Sequence, residues 1–370
     1  MPDTLMIRGG TCHALYAFEV AYAIALETAE RRIAAATERQ TVKQKRRAPA
    51  SFEYRPAPLR VTLDAESLPL GAYATAPAVE IVLYDFGAVS VSYDIDLVGP
   101  FRGLPALSAE LYGNERLLAD ARRQVERLLG ALGEAAVRPR IADFVEDYAI
   151  FVIEEFSTPC EPAGLWTTHA ATVAQILRAE AAPLSQQEIH DATASHLSFG
   201  ADDATFIDTD AALLFDREGD DVRAVIELAN TQLLEMRYLD LRLDTALDQA
   251  YEMLSRQRGQ RFPLLDRASP NVRRVAELQL DSAILFEQVT NALKLIGDQY
   301  LARVYGLVSR RFQLAAWDAT ITRKLQTIES IYSKMVDRAA TRRMEVLEWI
   351  IIVLITVSIL LPFLPGLGGK

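Results

Sequence analysis

Hydrophobic and polar residues follow two periodicities in the first 220 residues, which predicts strands interleaved with helices. In the clearest strand region, 79–97, Val89, Val91 and Tyr93 alternate with polar residues, as in a half-buried strand. An Asp-Phe-Gly triplet at 85–87 indicates a hairpin turn. Helical spacing predicts helices over 26–36, 108–132, 167–181 and 185–194, and apolar runs predict strands over 13–24, 148–153 and around Phe206 and Leu214. The first 220 residues are therefore predicted to form a mixed α/β head.

Beyond residue 220, apolar residues recur at spacings of three and four, which is typical of long helices. Such stripes begin at Ile226, Val275 and Leu314, and the third continues without Pro or Gly into the most apolar part of the chain. These patterns predict a long, antiparallel, coiled-coil-like stalk over residues 221–345.

The densest apolar run lies between Trp349 and Leu364, where 16 consecutive residues are uncharged. A helix of that length covers about 24 Å, so flanking apolar residues are needed to reach the roughly 30 Å of a hydrocarbon core. Four basic residues precede the run, which predicts a single-pass C-terminal anchor in the cell inner membrane over 346–367, with the N-terminal bulk in the cytoplasm. A buried helix or an oligomerisation segment is the alternative. The predicted anchor residues are Trp349, Ile350, Ile351, Ile352, Val353, Leu354, Ile355, Val357, Ile359, Leu360 and Leu361.

Together the patterns predict an α+β fold: an N-terminal mixed α/β domain, then a long antiparallel helical stalk that ends in one C-terminal transmembrane helix. Composition excludes several other classes. Half of the 370 residues are apolar, which excludes a disordered chain. A net charge of -11 argues against a general nucleic-acid binder. The cysteines, Cys12 and Cys160, form neither a disulfide framework nor a zinc motif.

One segment departs from this acidic average. Residues 31–60 contain nine basic and two acidic residues, which gives a local charge of +7. The segment is predicted to contact RNA phosphates or anionic lipid headgroups through Lys43, Lys45, Arg46 and Arg47. A solvated linker is the alternative, because Pro residues punctuate the same stretch.

Few local motifs point to chemistry. His190 and His196 are six residues apart, which does not place them on one helical face as metal ligands. The acidic stretch 202–221 lacks the order of a calcium-binding loop and is interpreted as turn residues and a helix N-terminus. Phosphate-binding glycine loops and nucleophile elbows are absent from the sequence. We therefore predict no catalytic, cofactor-binding or metal-ligating residue.

The segment RRMEVLEWIIIVLITV, from Arg342 to Val357, resembles the C-terminus of the "required for meiotic nuclear division" family. This domain of unknown function is shared by yeast sporulation proteins and a mammalian mitochondrial translation factor. The segments YDFGAVSVSYD and THAATVAQILRAE are similar to the strand and helix motifs of that family, whereas RRFQLAAWDATI departs from its pattern. The resemblance implies a bacterial, non-enzymatic, membrane-anchored protein without described catalytic residues.

These observations predict a cytoplasm-facing scaffold or tether, linked to the ribosome as in eukaryotic relatives. The predicted partners are membrane lipid, further copies of the chain bound through the long helices, and a protein or ribosome, without sequence-specific nucleic acid or a cofactor. Two alternatives belong to other classes. One is an enzyme whose α/β head acts on a small molecule near the membrane, and the other is a self-assembling membrane oligomer.

Overall fold

A computed structural model describes residues 5–37, 56–158, 162–257 and 298–360. The described residues fall into two compact units. The first contains the residues up to Tyr238 together with 298–317, and the second contains 239–257 and 318–360.

A ten-stranded mixed sheet forms the framework of the first unit. Its strand order is β10-β11-β12-β9-β1-β6-β5-β3, with β4 on β5 and β7 on β1, while β2 and β8 form a separate pair. The only parallel neighbours among the described strands are β12 and β9. The strands are β1 (Met6–Glu19), β2 (Ala23–Ile24), β3 (Leu59–Asp64), β4 (Pro69–Leu70), β5 (Tyr73–Leu83), β6 (Ala88–Asp96), β7 (Gly99–Pro100), β8 (Ala136–Val137), β9 (Val145–Phe156), β10 (His196–Leu197), β11 (Ala204–Ile207) and β12 (Ala211–Phe215).

The hairpin predicted at 85–87 is confirmed, because it joins β5 to β6. Gly87 adopts a φ of 106°, and a Cβ at this position would lie 1.9 Å from the Ala21 carbonyl oxygen. Only glycine fits there without displacing the chain that follows β1. The turn therefore brings β6 back beside β1, which pairs with it from Thr11 to Glu19.

The helices agree with most of the predicted ones. The predicted helix over 108–132 is two helices, because Gly113 has a φ of 61° and Asn114 then caps the next helix by accepting a 3.0 Å hydrogen bond from the Leu117 N–H. The predicted helix beginning near Val275 lies outside the described residues. The helices are α1 (Leu26–Thr37), α2 (Leu104–Leu111), α3 (Glu115–Leu132), α4 (Pro162–Thr168), α5 (Ala170–Leu177), α6 (Gln186–Ala194), α7 (Asp220–Gln257), α8 (Gln299–Arg311) and α9 (Leu314–Leu360).

Helices cover both faces of the sheet. On one face, apolar residues of α1, α2, α3 and α5 join β1 residues such as Tyr16 and Phe18 in one buried core. On the opposite face, Leu228 and Leu234 of α7 pack against Ala17 of β1. The central strands are consequently buried on both sides, which explains their nearly continuous apolar sequence.

A buried ion network lies on the α7 face. Glu227 of α7 is fully buried and accepts hydrogen bonds from Ser90 at 2.8 Å and from Arg60 at 3.0 Å. Arg60 also donates to Glu80 at 2.6 Å, and Arg223 binds the same carboxylate. Burial alone lowers the pKa of Arg60, but Glu227 and Glu80 outweigh this effect and raise it. The network therefore holds α7 on β3, β5 and β6 through paired charges.

The second unit contains the end of α7 and most of α9. Leu243 of α7 and Ile321 and Ile328 of α9 are buried. Lys324 lies 2.7 Å from Asp240 and 2.5 Å from Asp244, so it joins the two helices through charge. The mixed α/β N-terminal domain and the helical C-terminal part are thus both confirmed.

The predicted membrane anchor is wrong. None of the helices in the described residues combines enough length with enough apolar character to cross a membrane. Within the described residues, the apolar end of α9 consists of the 12 uncharged residues from Trp349 to Leu360, preceded by Glu348. Such a stretch rises about 18 Å, against roughly 30 Å for a hydrocarbon core. This finding contradicts the single-pass anchor and the inner-membrane location. Of the predicted anchor residues, Leu361 lies outside the described residues, and the others lie in α9.

Replacing Glu227 with Ala should lower the free energy of unfolding by about 3–5 kcal/mol, because Arg60 would remain buried with part of its charge unpaired. Urea unfolding followed by circular dichroism measures the change. Glu126→Gln on the exposed side of α3 is the control and should alter stability by less than about 0.5 kcal/mol. A loss below 1 kcal/mol for Glu227→Ala would contradict the structural role of the network.

Candidate functional site

A cavity of about 470 Å³ lies in the first unit, at the side of β9. We call it the central pocket. It is lined by parts of β1, β9, α2, α7 and α8, by the turn before β12 and by the start of α9. Its aromatic and charged lining residues are Tyr16, Tyr112, Tyr148, Phe312, Trp317, Glu146, Asp147, Asp210, Arg237 and Arg311.

The pocket exists because β12 is shorter than β9. On one side, β9 pairs with β1 from Val145 to Phe156. On the other side, β12 pairs only with residues 149–153. The first four residues of β9, 145–148, therefore lack a neighbouring strand on the pocket side within the described chain. We call these four residues the open edge.

Carboxylates line both faces of the open edge. The Asp147 Oδ2 accepts a 3.2 Å hydrogen bond from the Gly113 N–H. Glu146, on the opposite side of the strand, is 7% exposed and forms an ion pair with Arg237 of α7. The pKa of Glu146 is raised to about 7, because burial raises it strongly and Asp147 raises it too, whereas Arg237 lowers it. Glu146 is therefore a carboxyl group that changes charge near neutral pH.

Asp210 brings a third carboxylate to the pocket from the turn before β12. Burial raises the pKa of Asp210, a hydrogen bond from Thr209 lowers it, and the neighbouring Asp208 raises it. Thus two of the three pocket carboxylates have pKa values above the ordinary range, which is a common property of groups in functional sites.

Two arginines fix the turn that carries Asp210. Asp208 is fully buried, and its carboxylate lies 2.9 Å from Arg178 Nε and 2.6 Å from Arg311 Nε. The Tyr148 hydroxyl donates to the Asp208 carbonyl oxygen at 2.9 Å. These bonds tie the ends of α5 and α8 to the turn, so Asp210 has a defined position beside β9.

Aromatic rings form much of the remaining wall. Tyr148 packs edge-on against Phe312, with ring centroids 5.3 Å apart. The Arg237 guanidinium lies 4.9 Å from the ring centre of Phe144, which is outside the pocket lining. Trp317 adds its ring at the start of α9. The pocket thus combines acidic groups with aromatic surface.

Two residues in left-handed backbone conformations also line the pocket. Ala179, just after α5, has a φ of 50°, and Gln313, between α8 and α9, has a φ of 54°. Each costs about 1–2 kcal/mol relative to a right-handed residue, and such costs concentrate at functional sites. Both helix ends are therefore held in place at some expense of stability.

The structure brings few of the predicted site residues together. Lys43, Lys45, Arg46 and Arg47 lie outside the described residues. Arg60, from the same basic segment, is buried in the ion network with Glu80 and Glu227. It is therefore not a surface contact for phosphate.

The histidines lie apart from the central pocket. His13 is buried, and its Nδ1 lies 2.7 Å from Asp94. His196 stacks near Trp166, with ring centroids 5.1 Å apart. In the part of the chain that the structure describes, no group of three His, Cys, Asp or Glu side chains has metal-binding geometry.

A second cavity, of about 600 Å³, lies at the far ends of β9 and β12. It is lined by Glu154, Glu155 and several residues of the acidic stretch. Asp203 and Asp216 accept backbone hydrogen bonds at 2.8 Å from Phe199 and Glu218, respectively, so they stabilise turns as predicted. Asp208 differs, because it is buried between two arginines, and the sequence carries no local signal for that pairing.

These features define an α/β protein with a pocket at an incompletely paired strand. The family model described as "Uncharacterized protein MJ0711, N-terminal domain" matches residues 9–221, and the chain belongs to this family. Uncharacterized protein MJ0711 of Methanocaldococcus jannaschii is 24% identical over 221 residues, which cover 59% of this chain and 66% of that protein, just under two thirds. No solved structure matches the chain significantly. The resemblance to the meiotic nuclear division family stays a prediction.

Glu146 should make stability depend on pH in a defined direction. Its pKa is about 7 in the folded protein and about 4.5 when unfolded, so the folded state binds the additional proton between these values. The contribution of Glu146 to stability is therefore fully present below pH 4.5 and is lost as the pH rises through 7, by about 3 kcal/mol in total. Glu146→Gln should remove this contribution.

Urea unfolding at pH 5 and pH 8 measures the effect as the difference between wild type and variant. Glu154→Gln, at an exposed position of the same strand, should show the same pH dependence as wild type. Parallel pH profiles for wild type and Glu146→Gln would refute the raised pKa.

Proposed function

We propose that the α/β head is a binding module that takes a small organic cation in the central pocket. One observation carries the proposal: three carboxylates and five aromatic rings line one cavity of about 470 Å³. Cavities of roughly 300–1,000 Å³ with a few polar groups are typical ligand sites. A cation is the ligand that best matches this lining.

The charge balance favours a cation. Arg237 is paired with Glu146, and Arg311 is paired with Asp208. Neither arginine neutralises Asp147 or Asp210 by an ion pair in the described residues. The pocket lining has three carboxylates and two arginines, and one of these arginines is engaged by Asp208, a residue outside the lining. A bound ammonium group would offset the remaining negative charge.

The aromatic lining supports the same ligand class. Tyrosine and tryptophan faces attract cations by about 0.5–2 kcal/mol, more when water is excluded. Tyr16 and Tyr148 are nearly fully buried, whereas Tyr112 is 64% exposed. Buried rings line the interior, and Tyr112 lies where a ligand would meet solvent. A ligand with an ammonium group and a short carbon chain therefore suits both parts of the pocket.

Titration calorimetry with butylamine tests the proposal on the full chain at pH 8, where Glu146 is mostly ionised. Wild type should bind, and Asp147→Asn should weaken binding about tenfold, because one charge-assisted hydrogen bond becomes neutral. Butanol, which has the same carbon chain without the charge, should not bind.

Glu154→Gln is the matched control, because it removes a carboxylate from β9 outside the central pocket. It should leave the butylamine affinity unchanged within twofold. Absence of butylamine binding to wild type, or equal binding of butylamine and butanol, would refute the proposed function.

A scaffold role is the second candidate, and one observation favours it. The apolar tract, residues 347–357 of α9, contains nine large apolar side chains that are 47–67% exposed. Consecutive helical residues are about 100° apart, so these side chains surround the helix. An apolar helix surface of this kind is normally covered. Several identical helices in a closed bundle would bury the sides that face neighbouring copies, which corresponds to the predicted homo-oligomer.

Sedimentation of the full chain tests this second candidate. The double variant Ile351→Glu with Ile355→Glu should sediment as a smaller species than wild type, because two charges would be buried between copies. Ser333→Glu with Thr341→Glu adds the same charge to exposed positions of α9 outside the apolar tract and should sediment like wild type. A monomeric wild type would refute self-association.

A further inference from the structure

We infer that the ligand of the central pocket is the amino end of an extended peptide. Its backbone pairs with the open edge, and its ammonium group lies beside Asp147 and Asp210. This inference rests on the proposed function and specifies its ligand. The peptide would lie in the pocket as an additional strand beside β9, continuing the line of β12.

The hydrogen-bonding direction of β9 provides the first step. The Ala149 N–H donates to the Asp210 carbonyl oxygen at 3.3 Å, so the backbone of Ala149 is directed towards the β12 side. Successive residues of a strand direct their backbone groups to opposite edges. The N–H and C=O groups of Asp147 and Val145 therefore point into the pocket, while those of Glu146 and Tyr148 pair with β1.

The open edge presents backbone hydrogen-bonding groups with which another strand can pair. Its four residues span about 13 Å at 3.3 Å per residue, which is enough for a strand of three or four residues. Within the described residues, no protein strand pairs with it on the pocket side. Exposed strand edges recruit extended peptides through main-chain hydrogen bonds, and nearby pockets provide specificity.

The positions of the carboxylates set the direction of the peptide. Asp210 lies beside Ala149, at the end of the pocket where β12 begins, and Val145 lies at the other end. An ammonium group near Asp210 requires that the peptide start there and run towards Val145. The bound peptide would therefore be antiparallel to β9. Its carbonyl end would extend away from the carboxylates, which disfavour a free C-terminal carboxylate.

This arrangement predicts a period of two in the ligand. Only every second amide N–H of an extended peptide faces β9, and the others face away. The probe is alanyl-alanyl-alanine amide, which has a free amino group and an amidated end. We expect it to bind at least tenfold more tightly than butylamine, because it adds main-chain hydrogen bonds to the same charge contact.

Two methylated probes test the pairing directly by calorimetry on the full chain. N-methylation of the second or the third residue should weaken binding at one of these positions by about threefold to tenfold and leave the other within twofold. Equal losses at both positions, or no loss at either, would overturn the inference.

A protein variant provides an independent test. Val145 is the first residue of β9, where proline is tolerated, and Val145→Pro removes an N–H that faces the pocket. It should lower the affinity for the peptide amide relative to that for butylamine by about threefold to tenfold, whereas Val145→Ala, which keeps the N–H, should keep the affinity ratio of wild type. A circular dichroism melt that matches wild type verifies that Val145→Pro is folded.

The two proposals fail in different ways. If butylamine and the peptide amide bind wild type with equal affinity, the peptide inference is overturned and the cation site remains. If neither binds, both are overturned. If N-methylation has its effect at one position only and Val145→Pro lowers the affinity for the peptide amide relative to that for butylamine, the peptide inference is confirmed.

Discussion

The unequal pairing of β9 is the constraint on which the site depends. β9 is held along its whole length by β1 on one side, so its position does not require a neighbour on the other side. β12 then pairs with residues 149–153 only, because the turn at 208–210 leads the chain away. Asp208 fixes this turn between Arg178 and Arg311. The cavity is thus the result of a strand end that is held in place.

Buried carboxylates in this fold differ in how many hydrogen-bonding and cationic partners offset the cost of burying their charge. Glu227 receives hydrogen bonds from Arg60 and Ser90, and Asp208 contacts two arginines. Glu146 contacts one arginine that is itself partly exposed, and burial outweighs this contact enough to raise the pKa of Glu146 to about 7. Glu227 and Asp208 are therefore structural groups, whereas the single arginine at Glu146 does not offset the effect of burial on its pKa.

Local patterns predict local structure here, and they fail where distant segments meet. The β5–β6 hairpin follows from alternation around Gly87, because both strands and the turn lie within one short segment. Asp147 and Asp210 meet only through the parallel pairing of β9 and β12, which no local pattern encodes. Arg60 belongs to a basic segment of the sequence, yet its charge is paired with Glu80 and Glu227, which come from other parts of the chain. The predicted membrane span likewise depends on counting residues beyond the 12 uncharged ones at the described end of α9.

The carboxylates of the central pocket are paired with cations less completely than the buried carboxylates elsewhere in the fold. Elsewhere, the fold places arginines at both oxygens of the buried Asp208 carboxylate, and Arg60 and Ser90 at the two oxygens of Glu227, so it is capable of satisfying such groups. At the open edge it instead places Glu146, Asp147 and Asp210 around a cavity, with Ala179 and Gln313 held in left-handed conformations beside it. Charge repulsion and backbone strain at one place lower stability without improving packing. They coincide at a strand segment that lacks a neighbour on one side within the described chain, where the proposed ligand would supply both the missing cation and the missing hydrogen bonds.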